Sequence, residues 1–181
     1  MRIGELLALK TSDIDEVNKV ISVTKTLYIK GSTKNFKLTP PKNKSSIRKI
    51  DVSQRVINII KEQIAWKNEY KMLHRKWYNF EDNFIFINEN SLMGYPMYPS
   101  IVRKYMEEVL AKAGLPASIT PHSLRHTYTS LMAESGLELP AIQKLLGHKK
   151  DYITETVYLH VTKAKKRSAV EKLDALMDTV L

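Results

Sequence analysis

The densest concentration of reactive side chains lies between Thr120 and Val161. In Pro121-His122-Ser123-Leu124-Arg125-His126-Thr127, helical spacing puts His122, Arg125 and His126 on neighbouring positions of one face. Leu124, Tyr128, Leu131 and Met132 fall on another face, which the spacing predicts to pack into a core. Thr120-Pro121 is a cap followed by proline at the first helical position, so the His/Arg stripe sits near a helix N-terminus. Unpaired amides and the helix dipole favour negative charge there, and the stripe is built to meet an anion. His148 follows Leu145-Leu146-Gly147, and Tyr158 and His160 sit in the segment Thr154 to Val161.

Plainer readings compete for these residues. His122 and His126 have the four-residue spacing of a zincin helix, but Ser123 stands where that motif carries its glutamate. With no Cys and no evident third ligand, no metal site is expected. The two helices joined around Gly136 could form a helix-turn-helix that only reads DNA. Any one His or Tyr could be a satisfied structural residue; the combination is what points to a site.

The elements that must position these groups are legible in part. A helix is expected from Arg2 to Lys10, and a strand over the β-branched run Val20 to Ile29. Gly31-Ser32 makes a turn, Phe36 to Thr39 a short strand, and Pro40-Pro41 a break before another strand at Ile47 to Val52. A helix opens at Ser53 with Val56, Ile57, Ile60 and Ile64 on one stripe. Trp66 to Phe80 is aromatic and basic without a clear period, and Phe84 to Ile87 reads as a buried strand. Helices follow over Ser100 to Ala113 with Ile101, Tyr105, Val109 and Leu110 on one face, from Thr120 to Ser135, over Leu139 to Leu146, and from Thr162 to Thr179.

The 181 residues suffice for one ordinary domain, and the longest apolar runs are far short of the ~20 residues a membrane helix needs. Zero Cys excludes a disulfide framework and a thiol nucleophile. The formal net charge is +10, and between Val17 and Ile50 stand Lys19, Lys25, Lys30, Lys34, Lys37, Lys42, Lys44, Arg48 and Lys49 with no acidic residue. One segment thus carries nearly the whole imbalance, as a polyanion-facing surface would; a solvated lysine-rich hairpin is the alternative. No P-loop or dinucleotide fingerprint is present, so no nucleotide cofactor is implied.

Five motifs occur in order: Arg2-Ile3-Gly4-Glu5-Leu6-Leu7-Ala8-Leu9, Pro41-Lys42-Asn43-Lys44-Ser45-Ser46-Ile47-Arg48, His122-Ser123-Leu124-Arg125-His126, Leu146-Gly147-His148 and Tyr158-Leu159-His160. Together they resemble the catalytic domain of tyrosine recombinases of the phage and conjugative-transposon integrase type, over nearly the whole chain. The resemblance implies a mixed α/β domain, mostly α-helical with a small antiparallel sheet, similar to type IB topoisomerases. It implies that Arg2 is the first catalytic arginine, Lys42 the hairpin lysine, His122 and Arg125 the second-box pair, His148 an additional histidine and Tyr158 the nucleophile. Double-stranded DNA is then the partner, bound in part by Lys34, Lys37, Lys44 and Arg48, with no metal and no cofactor.

The implied chemistry explains the residue types. Attack on a phosphodiester piles charge onto non-bridging oxygens, which forked guanidinium donors such as Arg2 and Arg125 suit, with His148 adding a hydrogen bond. A tyrosine hydroxyl has a pKa of about 10, so cations and a base, here His122, must help it ionise. Lys42 would protonate the leaving 5′-hydroxyl. Lys44 competes with Lys42 for that part, Tyr152 with Tyr158, and a helix-ending role with the catalytic one for His148. Glu5 is expected to orient structure.

Helical structure is expected before Arg2, so the reading is of residues 1–181 as a single catalytic domain from a longer integrase with a flanking DNA-binding portion. Assembly on DNA as a homo-oligomer, a tetramer, is expected, with a monomer possible in isolation and a cytoplasmic location away from membranes. A non-catalytic DNA-binding module and a relaxing topoisomerase stay open as rivals.

Overall fold

In the computed structural model, which describes residues 1–31, 33–40, 46–78, 82–90, 92–147, 152, 154–163, 170 and 177, the run expected as one strand at Val20 to Ile29 forms two. Strand β2 (Val20–Val23) lies between β1 (Ile14–Asp15) and β5 (Arg48–Asp51) in an antiparallel sheet of order β1-β2-β5. Strand β3 (Thr26–Ile29) pairs instead with β4 (Phe36–Thr39), Thr26 facing Thr39 and Ile29 facing Phe36. Between the two strands, Lys25 turns its ammonium to the Asp13 carboxylate, with Nζ 2.6 Å from Oδ1. That long-range ion pair accompanies the break, and no local pattern announces it.

Ahead of the sheets, α1 (Ile3–Leu7) starts on extended backbone at Arg2. The Glu5 carboxylate accepts the Arg2 amide N–H at 2.8 Å, satisfying one of the orphan donors of the first turn. α2 (Gln54–Leu73) runs through much of the segment that lacked a period. Trp66 stacks on Tyr70 and Tyr70 on His74, with centroids 5.4 and 4.1 Å apart, so rings four residues apart form a ladder along one side. Phe84, Ile85 and Ile87 are fully buried and Phe86 partly so, but the run makes only isolated bridges, Lys10 to Phe84 and Ile87 to Pro96. α3 (Pro99–Lys112) buries Leu110, whereas Tyr105 and Val109, expected beside it, are exposed.

Two compact units result, Met1–His122 and Ser123–Leu181. The first is held by one cluster of Leu9, Ile21, Val23, Ile60 and Ile85 and a second of Leu7, Ala8 and Leu27. In the second, α4 (Pro121–Glu134) continues from the boundary, followed by α5 (Leu139–Leu146) and α6 (residues 154–163). Its core is Ala133, Ile142 and Leu146, with Met132, Leu137, Tyr158 and Val161 packed against it.

Of the four residues expected on the apolar face of α4, Met132 packs on the core and the other three turn outward. Leu124 and Leu131 are 58% and 56% exposed and Tyr128 is also exposed, while Arg125, Thr129 and Ala133 are buried. Spaced by four, these three form the inward face, along which Thr129 Oγ1 donates to the Arg125 carbonyl at 3.0 Å. No helix among the described residues is long and apolar enough to cross a membrane.

Candidate active site

Arg125 lies one turn inside α4 and is 7% exposed. Its Nη2 donates to the Leu146 carbonyl at 2.6 Å, a last-turn acceptor of α5 that the helix itself leaves unsatisfied. α5 ends there because Gly147 takes a left-handed conformation, φ 74° and ψ 39°, which glycine adopts at no steric cost. Tyr158 lies on α6, half-buried, with its ring packed against the Ala133–Ile142–Leu146 cluster. Arg125 and Tyr158 are therefore tied to the same packing of α4 and α5, Arg125 through the Leu146 carbonyl and Tyr158 through the cluster that contains Leu146. Tyr152, the competing tyrosine, is exposed. His122 stands on α4 one turn before Arg125 and is exposed; His126 is half-buried.

A second group of charges forms in the first unit. The Glu5 carboxylate is 2% exposed and receives two guanidinium groups, Arg2 Nη1 on Oε1 at 3.1 Å and Arg48 Nη2 on Oε2 at 3.0 Å. Burial works to raise the Glu5 pKa, but hydrogen bonds from Arg48 and from the Arg2 backbone, with the Arg48 charge, outweigh it and hold the carboxyl below its ordinary value. Arg2 keeps 43% of its side chain exposed. Arg48, expected on the DNA-facing surface, instead faces inward: its side chain is 6% exposed, and Nη1 donates to the Ser46 carbonyl at 2.9 Å. A cation spent on a buried carboxylate cannot also stand on the surface. Glu5 orients structure, as its place beside Arg2 suggested.

The remaining basic residues divide the same way. Lys34 and Lys37 are exposed, Lys37 on β4 opposite the exposed Tyr28, and Lys19, Lys30 and Lys49 are exposed as well. Lys25 is tied to Asp13. Lys42, Lys44 and His148 lie outside the described residues. Among the described residues no three His, Asp or Glu side chains gather as a cation site would require.

The Phage integrase family model matches residues 1–165. The chain belongs to the phage integrase family. It is 35% identical over 178 residues to the integrase of Staphylococcus phage L54a, covering 98% of this chain and 49% of that protein. It is 32% identical to a XerC-like tyrosine recombinase of Caldanaerobacter subterraneus, covering 97% of this chain and 46% of the other. In structure it matches the Tn1549 transposon integrase (residues 82–397 of that protein) in complex with transposon right end DNA, with a TM-score of 0.76 at 28% identity over 96% of this chain and 55% of that one. The chain spans about half the length of the curated relatives it matches. Its helices and two small antiparallel sheets are those of a tyrosine recombinase catalytic domain.

Two residues that shape this integrase domain escaped the sequence reading. Arg48 was legible as a cation but not as the partner of Glu5, since 43 residues separate them. Gly4 interrupts the helical motif between Arg2 and Glu5, and that glycine was the signal of a close backbone approach: a Cβ there would meet Thr26 Oγ1 at 2.8 Å and the Leu27 carbonyl at 3.1 Å.

Proposed function

We propose that this chain is the catalytic portion of a site-specific DNA recombinase that integrates or excises a mobile element by cleaving and rejoining strands through a 3′-phosphotyrosine. The Tyr158 oxygen attacks the phosphorus, a Tyr–O–P bond forms and the bond to the 5′-oxygen breaks. Arg2 and Arg125 hold the non-bridging oxygens, His148 adds a hydrogen bond, His122 assists removal of the tyrosine proton, and Lys42 protonates the leaving 5′-oxygen. Attack by another 5′-hydroxyl reverses the step. The bond energy is kept throughout, so neither metal nor nucleotide is needed.

The observation that carries the reading is that one small core ties Arg125 and Tyr158: the guanidinium holds the Leu146 carbonyl, and Tyr158 packs against the cluster of Ala133, Ile142 and Leu146. Recognition of double-stranded DNA falls to the exposed Lys34 and Lys37 and to Lys44; Arg48 is left out of that set. On this reading the domain works in the cytoplasm, within a longer protein that assembles as four copies on DNA and can be a monomer away from it.

The test is a nicked duplex that loses its 5′-hydroxyl fragment on cleavage and so traps the covalent adduct. The intact protein should give an adduct whose phosphopeptide carries Tyr158, and Tyr158→Phe should give none. An adduct that persists in Tyr158→Phe rejects this nucleophile, and binding with no adduct from the intact protein leaves a DNA-binding module.

A further inference from the structure

The Glu5 carboxylate joins two parts of the first unit that lie far apart in sequence. Its Oε1 holds Arg2 from the start of α1, and its Oε2 holds Arg48 from β5. Among the described residues, these arginines are the charged groups that act on Glu5. Arg48 is in turn fixed at its other fork, where Nη1 donates to the Ser46 carbonyl at 2.9 Å. The chain of contacts therefore runs from the backbone at Ser46 through Arg48 and Glu5 to the guanidinium of Arg2. Every link but Arg2 is buried, so the network is rigid at the end away from solvent.

We infer that Arg48 is a positioning residue of the DNA-cleaving site: by holding Glu5 it sets where the guanidinium of Arg2 stands. The inference rests on the reading of Arg2 as a phosphate-holding arginine. One buried carboxylate shared by two guanidinium groups has a defined place for each, because each oxygen is committed to one of them. Removing Arg48 leaves Oε2 with the Arg2 amide N–H and the carboxylate with one guanidinium instead of two, so the Arg2 side chain is drawn to re-centre on both oxygens. Lysine cannot substitute fully. Arg48 uses two separate nitrogens for Glu5 and Ser46, a span that a single ammonium does not reproduce.

The intact protein, with Arg48→Met, Arg48→Lys, Glu5→Gln and the double variant Glu5→Gln/Arg48→Met, separates this role from a DNA contact. Two quantities are measured: the salt slope of binding to duplex, and the single-turnover rate of adduct formation on saturating nicked duplex. Arg48→Met should form adduct about ten- to a hundredfold more slowly, the loss expected when a catalytic group is misplaced by an ångström or less. Its salt slope should match the native one. Arg48→Lys should fall between, and in the Glu5→Gln background the Arg48→Met change should cost far less than in the native one. A salt slope shallower by about 0.9, with adduct formation on bound DNA unchanged, would make Arg48 a phosphate contact and overturn the inference. Equal losses in the native and Glu5→Gln backgrounds also overturn it. Should Arg48→Met not fold, a native adduct rate in Arg48→Lys is the overturning result. Failure of the native protein to form any adduct removes the recombinase reading itself and this inference with it.

Discussion

Substituting Gly4 by alanine tests whether the position of Arg2 depends on how closely α1 lies against β3. A Cβ at Gly4 would sit 2.8 Å from Thr26 Oγ1 and 3.1 Å from the Leu27 carbonyl oxygen. Ordinary contact begins near 3.4 Å, so α1 or β3 must give way by about 0.6 Å against the first and 0.3 Å against the second. Thr26 is β-branched with few χ1 rotamers to turn into, and the Leu27 oxygen belongs to the β3 backbone, which can yield only by moving main chain. Overpacking of this size costs about 1–3 kcal/mol. Alanine's better helix propensity returns about 1 kcal/mol at most, and less here because Gly4 is in the first turn. The net expectation is a loss of about 1–2 kcal/mol. Both tryptophans, Trp66 and Trp77, lie in the first unit, so urea denaturation followed by fluorescence reports its unfolding. The midpoint should fall with an unchanged slope. Thr26→Ala in the same background should recover part of the loss but not all of it, since the Leu27 carbonyl remains. Adduct formation should slow as well, because α1 carries Glu5 and, at its cap, Arg2. A Gly4→Ala protein as stable as the native one, or more so, refutes the argument.

Further outcomes follow from the same geometry. Glu5 titrates below its ordinary value in the folded protein, so it contributes stability that is fully present above the unfolded pKa and lost as pH falls through the folded one. Glu5→Gln should flatten the acid limb of the urea midpoint against pH; an unaltered limb counts against the carboxylate as its source. Ile142 is fully buried in the second unit, and Ile142→Ala should cost that unit about 2–5 kcal/mol, read as lost amide protection in α4 and α5. Loss of protection confined to the first unit would contradict this. DNA binding should weaken steeply with salt, and Lys34→Ala or Lys37→Ala should each lower the slope by about 0.9 if the side chain meets a phosphate. A salt-insensitive complex would rule out the exposed lysines as its contacts.

Much of the punctuation was written locally. Pro121 opens α4, Gly114 follows the end of α3 with φ 66°, and Gly147 stops α5 with φ 74°, each for steric reasons that need only the residue and its neighbours. Strand β4 falls on the residues expected of it, Phe36 to Thr39, and β5 lies inside Ile47 to Val52. The ordered motifs that resemble the integrase family were legible too, because residue type and sequence order survive without coordinates.

Tertiary structure decided what the local rules could not reach. Val20 to Ile29 satisfies strand propensity throughout, yet β2 found β5 and β3 found β4, so it serves two sheets. The inward face of α4 carries an arginine and a threonine instead of Leu124 and Leu131, because the Leu146 carbonyl 21 residues away offers Arg125 a partner. Likewise the same charge on Arg48 and on Lys37 leads one inside and leaves the other on the surface, since only Arg48 reaches a buried carboxylate. Sequence determines which groups carry charge and where the chain can bend. Whether a charge is buried depends on the partner that folding brings to it, and hydropathy spacing carries no record of that partner.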